Sequence, residues 1–216
     1  MTLKDLSNYR KIYDKKNLLE EFVKENPMEQ FQLWFHETEE ADGVSEVNAM
    51  TISTIGLDGF PNNRVVLLKQ FTWEGFIFYT NYDSEKGIAI EQNNKVCLSF
   101  FWHNLDRQVI ITGFAEKIAP NLSDGYFEQR PRGSQLGAWA SQQSTVIANR
   151  EILEQELEKL EKTFENQEIP RPEHWGGYII KPQTIEFWQG RPNRLHDRLR
   201  YTLQEDFDWK IERLAP

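Results

Sequence analysis

The stretch Asn48-Ala49-Met50-Thr51-Ile52-Ser53-Thr54-Ile55-Gly56-Leu57-Asp58-Gly59-Phe60-Pro61-Asn62-Asn63-Arg64-Val65-Val66-Leu67-Leu68-Lys69-Gln70 decides the fold class. Two runs rich in β-branched and apolar residues, 48–56 and 63–70, flank residues 57–61. The Asp58-Gly59 pair between them is a strong tight-turn signal, so the whole reads as an antiparallel hairpin. On the second strand, Arg64, Val66 and Leu68 share one face and Val65, Leu67 and Lys69 the other, because side chains alternate along a strand. Each face therefore ends in one cation, which is compatible with solvated strand ends or with a binding surface.

Short β-like segments continue downstream. Residues 75–80, 95–103 and 107–118 read as strands, with Gly113 a candidate bulge. Residues 84–93 read as a short helix capped by Asp83 or Ser84. A helical section follows at about 122–141. The clearest helix is 149–166, where Ile152, Leu153, Leu157, Leu160 and Phe164 recur every three to four residues. After Ile169-Pro170-Arg171-Pro172, strands are expected at 178–181, 184–189, 198–204 and 209–213. Upstream, Asn26-Pro27-Met28-Glu29 reads as a helix start, with Asn as cap, Pro in the first turn and Glu reaching back. Met28, Phe31, Trp34 and Phe35 follow at helical spacing. Residues 1–25 are highly charged and read as a mobile or helical arm, leaving 26–216 as a single domain. Strands bracket the helices instead of alternating with them. The fold class is mainly β with flanking helices, an antiparallel sheet or barrel, and not a doubly wound parallel sheet.

Composition narrows the function. The chain has 216 residues, 39% hydrophobic and 27% charged, enough for one ordinary domain with a real core. Its formal charge of −9 argues against a nucleic-acid partner. Short-range screening still allows a basic pocket for small phosphates. No apolar run approaches the roughly 18–20 residues of a membrane span, and Met1-Thr2-Leu3-Lys4-Asp5 lacks the apolar stretch of a secretory signal. The one cysteine, Cys97, sits in an apolar run and reads as a small buried hydrophobe. These features point to the cytoplasm. The four histidines, His36, His103, His174 and His196, have no metal-ligand spacing, so no metal site is expected. No Gly-x-Gly-x-x-Gly turn, Gly-x-Ser-x-Gly elbow or P-loop occurs.

Two further clusters carry possible chemistry. In Tyr126-Phe127-Glu128-Gln129-Arg130-Pro131-Arg132-Gly133-Ser134-Gln135, Tyr126 and Arg130 would share a helix face, and Ser134 could cap a following helix. A hydroxyl, a guanidinium and a helix start suit a phosphate, although capping and surface charge would explain the same residues. In Arg191-Pro192-Asn193-Arg194-Leu195-His196-Asp197-Arg198, three arginines and one histidine fall within eight residues of an acidic chain. They follow the aromatic strand ending in Trp188, with Arg194 and His196 two apart on what reads as one strand face.

Several motifs together resemble the pyridoxamine 5′-phosphate oxidase family in order and spacing. They are Arg64-x-Val-Leu-Leu-Lys69, Phe78-Tyr79-Thr80-Asn81, Arg132 to Ser141 with Gln143-Ser144, and Arg194-Leu195-His196-Asp197-Arg198. The ending Arg213-Leu214-Ala215-Pro216 is similar as well, and the likeness runs from about residue 26 to the end. The resemblance implies a split β-barrel that binds FMN at a homodimer interface. It also implies oxidation of pyridoxamine or pyridoxine 5′-phosphate to pyridoxal 5′-phosphate, with O2 as acceptor and H2O2 as product.

By position, the resemblance assigns Arg64, Lys86, Gln143 and Ser144 to the FMN phosphate and its chain. It assigns Val65, Val66, Leu67, Lys69, Tyr79, Thr80, Gln108, Trp188 and Arg198 to the rest of the cofactor site. Lys69, Tyr126, Arg130 and Ser134 would bind the substrate phosphate, and Arg194 and His196 would cover the substrate ring as the catalytic pair, orienting first and moving protons second. Arg10 and Tyr13 resemble residues that fold over the substrate in relatives. One position departs from the pattern: Glu85 stands where the family carries an arginine near the FMN phosphate. Glu85 therefore either points outward or weakens FMN binding. The competing readings are a split barrel that binds without catalysis and a nicotinamide-fed flavin reductase.

Overall fold

In the computed structural model, which describes residues 4–9 and 11–216, the hairpin forms as its turn chemistry requires. Gly59 takes φ +81°, open to glycine without strain. The Asp58 carboxylate accepts from the Phe60 amide at 3.0 Å, and Gly56 N–H donates to the Phe60 carbonyl at 2.8 Å. Strand β1 (Ala49–Ile55) pairs antiparallel with β2 (Pro61–Leu67), with Ile52 opposite Arg64. Met50, Ile52 and Thr54 alternate into the interior. The second run does not continue to residue 70 as one strand. It breaks after Leu67, and β3 (Gln70–Thr72) pairs instead with β4 (Gly75–Asn81).

Helix α2 (Glu85–Gln92) follows, capped by Ser84, whose Oγ accepts from the Gly87 amide. Then come β5 (Lys95–Trp102), β6 (Arg107–Lys117), α3 (Pro120–Glu128), α4 (Arg132–Ala140) and α5 (Glu151–Thr163). The chain ends with β7 (Trp175–Gln189), β8 (Asp197–Leu203) and β9 (Trp209–Arg213). The two strands expected at 178–181 and 184–189 are one 15-residue strand, which runs through Pro182. Among the described residues the sheet order is β2-β1-β5-β6-β7-β4-β3, with β8 added to β7 and β9 to β8. Every register resolved pair by pair is antiparallel.

The chain divides into two compact units. One comprises the chain through Val47, Ser99–Ile111 and Gln183–Pro216. It contains α1 (Pro27–Glu40), begun by Asn26, whose side chain accepts from the Met28 amide at 2.8 Å. The expected back-reach from Glu29 is replaced by Gln30, which accepts from the Lys24 amide. Met28, Phe31 and Trp34 are buried; Trp34 meets Phe187 edge-on at 5.1 Å and Phe31 meets Phe100 at 5.2 Å. Residues 11–25 are tied down within this unit, and their only helical element is a short 3₁₀ turn, Glu20–Phe22. Leu18 is buried and its amide donates to Asp197, Arg213 forks onto Glu20, and the Tyr201 hydroxyl donates to the Lys24 carbonyl.

The other unit comprises Asn48–Leu98 and Thr112–Pro182. Here α3, α4 and α5 close over a cluster of Phe127, Leu136, Leu160, Ile169 and Trp175, with Leu157 and Phe164 against it. Ile152, expected on the same greasy face, is exposed. Gly113 marks a close backbone approach: a Cβ there would meet the Lys181 carbonyl oxygen at 2.2 Å. Cys97 is half-buried, and burial pushes its thiol pKa up, as suits a small apolar filler. No helix among the described residues is long and apolar enough to cross a membrane.

Candidate functional site

A pocket of about 610 Å³ opens wholly within the second unit. It is lined by Arg64, Val65, Val66 and Leu67 from β2, by Lys69, by Tyr79 and Thr80 from β4, and by Lys86 from α2. Tyr126, Arg130, Ser134 and Gln143 also line it, from α3, α4 and the turns beside them. Four cations thus face one cleft, and no carboxylate lines it, in a chain of net charge −9. Like charges gathered without counter-charge cost free energy unless an anion completes the set.

Lys86 states this most directly. Its ammonium is buried, and its hydrogen-bond partners are all neutral: Gln143 Oε1 at 2.7 Å, Thr80 Oγ1 at 3.1 Å and Ser84 Oγ at 3.1 Å. Burial, and secondly the charge of Arg64, lowers its pKa to about 8. Arg64 donates to Thr54 Oγ1 at 2.7 Å and to the Asn62 carbonyl, again without a carboxylate partner among the described residues. Glu85 is exposed, begins α2 and does not line the pocket. Burial lowers the Arg64 pKa as it does that of Lys86, and the charge of Glu85 reaches both and opposes each shift.

The other side of the pocket is aromatic and cationic. Tyr79, Tyr126 and Trp175 lie in a near-parallel stack, with Tyr79 and Tyr126 centroids 4.0 Å apart. Arg130 sits 4.4 Å from the Trp175 ring, and its Nη1 is buried with no hydrogen-bond partner among the described residues. A buried guanidinium nitrogen without a partner is costly, so Arg130 is held against this pocket at a free-energy cost. Burial lowers the Arg130 pKa, opposed by Tyr126. Two local expectations are corrected. Tyr126 lies in α3, but Arg130 follows that helix, because Gln129 ends it. Ser134 does not cap α4: Pro131 holds the cap position, and Ser134 lies in the first turn.

Ser144, exposed with φ +74°, is not among the lining residues. Gln108, Trp188, Arg194, His196 and Arg198 belong to the first unit. There the His196 ring packs 4.7 Å from Trp188 and 5.6 Å from Tyr13. Burial, then the charge of Arg194, lowers the His196 pKa, opposed by Asp197. Arg198 forks onto Glu186 at 2.8 and 3.1 Å, and Gln108 donates to Ser99 Oγ at 3.5 Å. Arg194 and His196 do not share a strand face. Asn193 and Arg194 take φ +58° and +62°, which turns the chain back before β8 begins. Arg10 lies outside the described residues.

Reading the sequence missed Asn81, Gly137, Ala138, Ser141 and Trp175 as pocket residues. All but Trp175 fall inside motifs already quoted, so proximity to those motifs was the available signal. Trp175 had only its place before Gly176-Gly177, where the small residues let β7 run close to Tyr82 and Tyr79.

Known proteins resemble this chain in sequence and in fold. A sequence model of the family described as pyridoxamine 5′-phosphate oxidase matches residues 37–164. One described as the pyridoxine 5′-phosphate oxidase C-terminal dimerisation region matches 175–216. The chain is 67% identical over 214 residues to the pyridoxine/pyridoxamine 5′-phosphate oxidase of Flavobacterium psychrophilum, covering 99% of this chain and 100% of that one. It is 63% identical to the enzyme of the same name from Flavobacterium johnsoniae, with the same coverage. Among solved structures, PhzG from Burkholderia lata in complex with tetrahydrophenazine-1-carboxylic acid matches with TM-score 0.85 at 27% identity, covering 92% and 98%. An oxidase-related FMN-binding protein from Nostoc punctiforme matches with TM-score 0.68 at 14% identity, covering 86% and 95%, a likeness of fold.

Proposed function

Since the chain belongs to the pyridoxamine 5′-phosphate oxidase family, a family of oxidoreductases with a split β-barrel fold, we propose that it oxidises pyridoxamine or pyridoxine 5′-phosphate to pyridoxal 5′-phosphate. The observation that carries the reading is the pocket with four cations and no carboxylate. A phosphate monoester brings about −1.5 to −2 charges at neutral pH, and this reaction needs two such esters in one cleft. Arg64 and Lys86, with Gln143 beside them, would hold the FMN phosphate. The residues fit that group: a buried ammonium with only neutral partners is what an incoming dianion would complete. Ser144 and the remaining cofactor assignments, Gln108, Trp188 and Arg198, rest on the family resemblance.

Lys69, Tyr126, Arg130 and Ser134, which line one pocket, would hold the substrate phosphate. In the homodimer that this reading includes, Arg194 and His196 cover the substrate ring. Bound FMN would supply the two-electron acceptor and pass the electrons to O2, giving H2O2. The protein's share is then to grip both phosphates and fix the ring, which converts binding into orientation. A cytoplasmic setting suits a chain whose single cysteine has no disulfide partner.

The test is direct. Purified protein should be yellow and, with pyridoxamine 5′-phosphate under air, should form aldehyde and peroxide. A colourless protein that stays inactive with added FMN overturns the proposal. Arg194→Leu should cut turnover by orders of magnitude while FMN stays bound; near-normal turnover would remove Arg194 from the site.

A further inference from the structure

Trp175 has no role in the reading above, although it lines the pocket beside Tyr126, Arg130 and Ser134. Its backbone is fixed on both sides. The Trp175 N–H donates to the Pro172 carbonyl at 3.0 Å, and its own carbonyl accepts from Arg171 Nη1 at 2.6 Å. Arg171 is tied in turn to Asp124 at 2.6 Å. As the first residue of β7, Trp175 pairs with Asn81 of β4. The ring is held as firmly. It lies 12° from the plane of Tyr79 and 7° from that of Tyr126, and Phe127 meets it edge-on at 5.3 Å.

This fixed ring carries Arg130. The guanidinium carbon stands 4.4 Å from the centre of the Trp175 ring and 5.6 Å from that of Phe127. Among the described residues Arg130 makes no ion pair, and the other well-held arginines differ from it in this. Arg107 also lies over an indole, that of Trp34 at 4.3 Å, but it pairs with Glu37. Arg171, Arg198 and Arg213 likewise take carboxylates.

The difference has chemical content. A carboxylate would hold the guanidinium, but it would occupy N–H donors and repel an incoming phosphate. An aromatic face attracts the cation through its ring quadrupole and brings no competing negative charge. It also leaves the in-plane N–H fork open for bidentate binding. We propose that Trp175 is a positioning residue for the substrate phosphate: its ring holds Arg130 in the orientation that binds the phosphate, and so favours phosphorylated over unphosphorylated substrates.

The proposal rests on the reading above that Arg130, with Lys69, Tyr126 and Ser134, takes that phosphate. Trp175 acts through Arg130 and not by its own contact with the ligand. Trp175, Arg130 and the rings around them all belong to the second unit.

Two measurements test this in the FMN-loaded protein, with pyridoxal 5′-phosphate as probe and its binding followed by flavin absorbance. In the first, Trp175 is replaced site-specifically by tryptophans carrying one, two and three fluorines, which weaken the negative face of the ring and nearly keep its size. The dissociation constant should rise with each fluorine, by about 3- to 30-fold in all, the scale of a desolvated cation–π contact. KM for pyridoxamine 5′-phosphate should follow while kcat changes by less than about threefold, and FMN affinity and Tm should stay unchanged. A flat series would mean a merely structural ring and overturns the proposal. The second is a double-mutant cycle. Trp175→Leu should weaken binding about tenfold in the wild-type background and no further in the Arg130→Met background. Losses that multiply, or an equal loss for pyridoxal lacking the phosphate, would also overturn the proposal. If Trp175→Leu fails to fold, the fluorinated series still decides. Should Arg130→Met leave pyridoxal 5′-phosphate binding unchanged, the phosphate reading beneath fails. Should Arg130→Met weaken it while the fluorinated series stays flat, only the role of Trp175 falls.

Discussion

At the scale of single residues, Lys86 makes the sharpest claim. Its pKa of about 8 lies below that of free lysine because its ammonium is buried among neutral oxygens, with Arg64 adding to the effect. In the ligand-free protein, Lys86 therefore gives up its proton as pH rises through about 8. A bound phosphate dianion favours the ammonium, so binding above that pH must take up a proton. FMN affinity should be flat between about pH 7 and 8 and fall as pH rises further. Lys86→Met should bind about 10- to 100-fold more weakly, the value of one charge-assisted hydrogen bond, and should lose that slope. Flavin fluorescence titration of apoprotein measures both; a wild-type profile flat to about pH 9.5 would refute the argument. Glu85 works at longer range. It is exposed and outside the lining, so it occupies no binding position, but its charge reaches Arg64 and Lys86 and must also repel a phosphate. Glu85→Gln should tighten FMN binding about two- to threefold at low salt, and the gain should vanish near 0.5 M salt, where the Debye length is roughly 4 Å, about half its physiological value.

At the scale of elements, the first turn of α2 is what presents Lys86. Ser84 Oγ caps that turn, donates to the Asn81 carbonyl and accepts from Lys86 Nζ. Gly87 lets it press against Tyr82, since a Cβ would stand 2.0 Å from the Tyr82 carbonyl oxygen, a backbone atom that cannot swing aside. Gly87→Ala should destabilise the protein by about 1–3 kcal/mol in denaturant unfolding and weaken FMN binding by moving Lys86. Gly133, in the first turn of α4, meets nothing within 4 Å, so Gly133→Ala should be neutral or stabilising by up to about 1 kcal/mol. The contrast bears on what a sequence discloses. Asp58-Gly59, Asn26 and the period of 149–166 are local signals, and each gave its element nearly as read. The continuity of β7 was hidden because Pro182 reads as a breaker, although the strand runs through it. Arg194 and His196 were placed on a strand face by spacing alone, and the left-handed φ values of Asn193 and Arg194, which undo that spacing, have no glycine to announce them. The basic pocket was legible residue by residue. That Lys86 is buried among neutral oxygens was not, since burial depends on how α2, β4 and the 141–144 turn meet.

At the scale of the whole molecule, the candidate site residues sort by unit. The pocket cations and their neighbours all fall within Asn48–Leu98 and Thr112–Pro182, whereas Gln108, Trp188, Arg194, His196 and Arg198 all fall in the other unit. If the second unit grips the cofactor phosphate, cofactor retention and turnover should be separable by mutation. A ligand that binds only the folded state stabilises it by about 2.7 kcal/mol at a hundredfold excess over its dissociation constant. For a chain of this size that corresponds to a rise in Tm of roughly 5–10 °C, at about 2–4 °C per kcal/mol. Thermal melts of apoprotein with saturating FMN should show that rise in the wild type and in Arg194→Leu alike. Lys86→Met at the same FMN concentration should show a clearly smaller rise. Equal loss of the FMN effect in Arg194→Leu would make Arg194 a cofactor ligand and withdraw it from the substrate ring. The persistence of the shift, beside a turnover lowered by orders of magnitude, is what a residue that acts on the substrate ring without holding the cofactor requires.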